Sequence, residues 1–93
     1  MEIEGIITHV LPERTGTSQA TGQPWRMAEY VLETIESYPK KICFTVSDGG
    51  SGRIARLNIQ ENGRYRVFFD IDAQEFNGRW FNRITAYDAR PVV

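Results

Sequence analysis

Cysteine and histidine are almost missing: Cys43 and His9 are the only ones among 93 residues. A single cysteine excludes an intrachain disulfide. A zinc site normally takes three or four Cys, His or carboxylate ligands, and this pair argues against one. No apolar run approaches the roughly 18–20 residues of a membrane helix. The start, MEIEG, is acidic, and no apolar stretch resembling a signal peptide follows it. The expectation is a cytoplasmic protein without membrane contact. The chain also lacks a glycine-rich phosphate loop, GxSxG and HExxH. With no convincing nucleophile–base pair either, neither catalysis nor a cofactor is expected.

What is present fits one small globular domain over residues 1–93. Apolar residues make up 41% and charged residues 25%, which excludes a disordered chain. The formal net charge is −1, whereas nucleic-acid binders usually carry a basic surface. The total conceals a distribution, because nine of the eleven cations are arginines. Arginine both stacks and forms bidentate phosphate contacts. Arg64-Tyr65-Arg66 and Arg79-Trp80-Phe81-Asn82-Arg83 interleave it with aromatics.

Hydrophobic periodicity predicts five strands and one helix. Glu2–Leu11 is β-like, and Gly5 inside it marks a bulge or bend. Residues 12–24 are a loop rich in proline, glycine and threonine. Trp25–Glu36 is a long strand with apolar residues in both phases, which suits a coiled barrel strand. Lys40–Ser47 follows, its apolar phase being Ile42, Phe44 and Val46. Asp48-Gly49-Gly50 breaks the pattern, and Ser51–Gln60 is the one plausible helix, with Ser51 as N-cap. In Gly63–Phe76, Tyr65, Val67, Phe69 and Ile71 alternate with Arg66, Phe68, Asp70 and Asp72. Asn77-Gly78 is a strong hairpin signal, and Arg79–Asp88 returns as the last strand before a short tail. Three strands, a small helix and a hairpin is the order of the OB-fold, a five-stranded Greek-key barrel. The fold expected is therefore all-β, with the helix plugging the barrel between strands three and four.

Four stretches resemble a bacterial family of small domains of unknown function, regarded as OB-folds of the single-stranded DNA-binding type. They are MEIEGIITHVLP, the Gly16-Thr17 loop, YPKKICF (38–44) and FNGRWF (76–81). The segment 47–64 departs from that pattern in being richer in glycine and arginine. The resemblance implies an OB barrel and suggests single-strand binding.

Single-strand binders stack bases on aromatics and neutralise phosphates with basic side chains. Trp25 and Trp80 are the expected stacking residues, with Phe44 and Phe76 assisting. Arg26, Lys40, Lys41, Arg66 and Arg79 are the expected phosphate contacts. Tyr65, Phe69 and Phe44 fall in clean apolar phases, where core is the favoured reading, whereas Trp25 beside the loop and Trp80 beside the turn suit rim or core alike. Asp70 and Asp72 share a strand face, a common and nonspecific arrangement. The partner expected is single-stranded DNA or RNA, most simply DNA, bound by a homodimer whose paired grooves would add avidity. The competing reading is a protein-interaction barrel, with Phe68, Phe81 and Tyr87 forming a partner-facing patch.

Overall fold

A computed structural model describes residues 1–92. Its elements run β1 (Glu2–Val10), β2 (Arg14–Thr17), β3 (Pro24–Thr34), β4 (Lys41–Asp48), α1 (Arg53–Leu57), β5 (Arg64–Phe76) and β6 (Arg79–Pro91). The sheet order is β1-β5-β6-β4-β3-β2, and β1 also pairs with β3. Five strands thus close into a circuit, β1-β5-β6-β4-β3, as the alternation patterns predict. The pairings are antiparallel except β4 with β6, which meet in parallel at Thr45 and Thr85. This is the OB-type barrel, with β2 added outside the ring.

The inward phase of each strand builds one core. Ile7, Ala28, Tyr30, Leu32, Phe44, Val46, Tyr65, Val67 and Ala86 fill it. Tyr30 and Phe44 stack at 5.4 Å between ring centroids. In β3 the ambiguous phase resolves to Ala28, Tyr30 and Leu32 inside. Gly5 lies in β1 where that strand pairs with both β3 and β5. A β-carbon there would collide with the Glu33 carbonyl, so the glycine permits close strand approach rather than making the bulge itself. The irregularity falls between Ile7 and His9, leaving Thr8 extra.

Three local features differ from the sequence expectation. The loop at 12–24 contains a strand, because Arg14–Thr17 pairs residue for residue with Pro24–Met27. The helix shrinks to five residues, with only Ile54 and Leu57 turned into the barrel. Its start is organised by Asp48 rather than Ser51. The buried Asp48 carboxylate accepts N–H bonds from Gly50, Gly52 and Ile54 at 2.9, 3.1 and 3.1 Å. These donors, foremost Ile54, hold the Asp48 carboxyl below its usual range despite its burial. Ser51 merely points its hydroxyl toward the same carboxylate. Lastly, β6 runs on to Pro91, so part of the expected tail pairs with Tyr65 and Arg66.

Candidate nucleic-acid interface

The hairpin β5–β6 outruns the barrel. Burial stops at Phe69, and from Asp70 to Phe76 and Arg79 to Arg83 the residues are exposed. Asn77 and Gly78 both adopt positive φ, 51° and 77°, as the tight turn demands. Where the arm leaves the barrel the register slips, Phe68 pairing with Asp88 and Phe69 with Ala86. Tyr87 is the extra residue, and such a bulge bends the ribbon.

Register sorts the arm's side chains. Phe76 pairs with Arg79, Gln74 with Phe81, and Asp72 with Arg83. Paired residues share a face and neighbours alternate. Phe76, Arg79, Phe81 and Arg83 therefore occupy one face together with Gln74 and Asp72, continuous with the barrel's outer surface. Trp80 pairs with Glu75 and shares the other face with Ile71, Ala73 and Ile84. That face continues the barrel's inner side, where Phe69 and Ala86 are buried.

The outer face of β3 and β4 meets the arm in a groove of about 680 Å³. Met27 and Glu29 of β3, Cys43 and Thr45 of β4, Arg14 of β2, and Phe81 and Arg83 of the arm line it. The floor is soft and uncharged apart from Glu29. Burial, helped by Glu29, pushes the Cys43 thiol up, so it stays protonated at neutral pH. Trp25 belongs to the same outward phase of β3 and lies at the β2 end, its ring packed over Gly16.

The expected site residues divide accordingly. Trp25, Lys41, Phe76 and Arg79 belong to the outer face or its continuation on the arm, and Lys40 is exposed at the start of β4. Phe44 does not belong to any ligand surface: at 1% exposure it is core, stacked on Tyr30. Arg26 is turned away from the groove and held by both Glu13 oxygens at 2.8 Å. Arg66 lies on the β1–β5 wall, where Glu4 binds it at 3.2 Å and Arg64 at 2.6 Å. Those two arginines hold the Glu4 carboxyl below its ordinary value, Arg64 foremost. Trp80, though 68% exposed, faces the opposite side of the arm from Phe76 and Phe81.

Sequence reading missed Arg14, Met27, Glu29, Cys43 and Thr45, none of which carries an aromatic or clustered-charge signal. Phe81 and Arg83 were within reach, because counting parity from the Asn77-Gly78 turn places them with Phe76 and Arg79. Of the proposed protein-binding trio, Phe68 and Tyr87 adjoin at 6.4 Å, with the Arg90 guanidinium 5.3 Å above Phe68. Phe81 lies well beyond them on the arm.

The chain belongs to a family described as a domain of unknown function, DUF3127, whose model matches residues 2–89. No curated protein matches it. Among solved structures it is similar to Rim1, the mitochondrial single-stranded DNA-binding protein of S. cerevisiae. The TM-score is 0.71 at 18% identity, covering 99% of this chain and 92% of that one. It is also similar to a dimeric structure of the N-terminal domain of PriB protein from Thermoanaerobacter tencongensis. There the TM-score is 0.66 at 14% identity, covering 100% of this chain and 94% of that one. At these identities the likeness establishes a shared OB-type fold. No helix among the described residues is long and apolar enough to cross a membrane.

Proposed function

We propose that this protein is a binding module for single-stranded nucleic acid, DNA in the first instance, and that it catalyses no reaction. The observation that carries this reading is the outer groove continued by an aromatic and cationic arm. Arg79 and Arg83 on that arm form no ion pair with a carboxylate among the described residues, unlike Arg14, Arg26, Arg64, Arg66 and Arg90. Unpaired cations beside exposed rings suit phosphates and bases together. Phe81, Phe76 and Trp25 offer faces for stacking. Arg79, Arg83, Lys40 and Lys41 supply phosphate contacts. The OB-type fold shared with a single-stranded DNA-binding protein supports the same reading. A homodimer in the cytoplasm, two grooves joined, completes the proposal and would raise avidity for longer strands.

The test is fluorescence anisotropy of a labelled mixed-sequence single strand, at low and moderate salt, with a duplex control. Binding should favour the single strand and weaken steeply with salt. Phe81→Ala should weaken it about tenfold, the loss of one stacked base. Arg83→Ala should lower both affinity and the salt slope, whereas Arg66→Ala, on the far wall, should change neither appreciably. Absence of binding at low salt would overturn the proposal and turn attention to the Phe68–Tyr87 surface.

A further inference from the structure

The charges in the groove bear on which base it accepts, an inference that rests on the single-strand reading above. Glu29 stands in the middle of the floor, its side chain 20% exposed, with Thr45 opposite it on β4. The Thr45 hydroxyl donates toward the Ile84 carbonyl at 3.4 Å. Arg14 approaches Glu29 Oε1 at 3.2 Å from the rim, its own side chain 71% exposed. A carboxylate has about four acceptor sites on two oxygens, so one arginine leaves most of them open.

A phosphodiester cannot rest against that carboxylate, since like charges this close repel. Of the two cations lining the groove, Arg14 is paired with Glu29, whereas Arg83 on the arm forms no ion pair among the described residues. The backbone of a bound strand is therefore driven toward the arm, and its base edges turn toward β3. Met27 and Cys43 then give the base an apolar bed, and Glu29 meets its edge. An ionised carboxylate only accepts hydrogen bonds. Guanine is the base whose pairing edge presents two adjacent donors, N1–H and the 2-amino group. Thymine and uracil present one N–H between two carbonyls. Adenine and cytosine set their amino group beside a ring nitrogen that itself accepts. Only guanine can satisfy both Glu29 oxygens without bringing an acceptor against them.

We propose that the outer groove selects guanine in single strands, Glu29 receiving its N1–H and 2-amino donors while Arg14 steadies the carboxylate from the rim. The test compares three short single strands on the intact protein: alternating guanine and thymine, the same strand with inosine for guanine, and oligothymidine. The guanine strand should bind about tenfold more tightly than oligothymidine, the usual discrimination of one bidentate contact. Inosine keeps N1–H but lacks the 2-amino group, so its strand should fall between. Glu29→Gln should erase the ranking while oligothymidine affinity holds or rises, because a negative charge has left the floor. Equal and measurable affinity for all three strands would overturn the guanine preference and leave the single-strand reading standing. A ranking that survives Glu29→Gln would overturn the role of Glu29. Failure of every strand to bind at low salt would overturn both proposals.

Discussion

Gly16 on β2 and Trp25 on β3 stand opposite each other, and the indole fills the space into which a side chain at 16 would grow. Among the described residues β2 pairs with no strand but β3, so this contact is a large part of what holds it. Gly16→Val should cost about 1–3 kcal/mol, the usual penalty of overpacking. The damage should be local: tryptophan emission shifts and β2 amides exchange faster, while barrel amides keep their protection. Unchanged emission with unchanged stability would show that the ring yields freely.

Phe44 and Trp80 test which rings hold the fold. Phe44→Ala opens a cavity beside Tyr30 and should cost about 3–5 kcal/mol in urea unfolding. Trp80→Ala removes a larger ring, but one 68% exposed on the arm. Its effect should stay within about 0.5 kcal/mol. Comparable losses in the two variants would mean that the arm packs against something in solution.

Acid should act through Asp48. Its folded carboxyl lies below the ordinary 3.8, so it adds stability above that value. The contribution fades as pH falls through the lowered folded value. Glu4, held down by Arg64 and Arg66, acts in the same direction. Asp48→Asn keeps one acceptor but loses the charge. Thermal melts should show the variant less stable at neutral pH, with the gap to the parent narrowing in acid. A gap of constant size would mean that the charge contributes nothing beyond its hydrogen bonds.

The barrel was legible because its signals are local. Alternation in Tyr65, Val67 and Phe69, the Asn77-Gly78 turn, and the strand–helix–hairpin order need no knowledge of distant partners. β2 was hidden because Arg-Thr-Gly-Thr has no apolar phase, and only its partner β3 makes it a strand. The helix cap was hidden because Asp48, the last residue of β4, reaches the amide of Ile54, six positions further on. The site was half legible. Aromatic and arginine clustering found the arm, but a composition signal ignores parity and so put Trp80 with Phe76. Nor could it see that Glu13 and Glu4 claim Arg26 and Arg66, pairings that span 13 and 62 residues of chain.

The closed circuit also governs how the molecule assembles. β1 meets β5 through pairs such as Glu2 with Phe68, and β5 meets the end of β6 through Tyr65 with Pro91. Contacts so distant in sequence must be made before the core is sealed, which places folding in the slow regime of β-barrels, milliseconds to seconds. The arm is the opposite case, a local hairpin that can zip in about 1–10 μs. The surface proposed to meet the ligand can thus form early and repeatedly, while the barrel beneath it waits on β1 reaching β5.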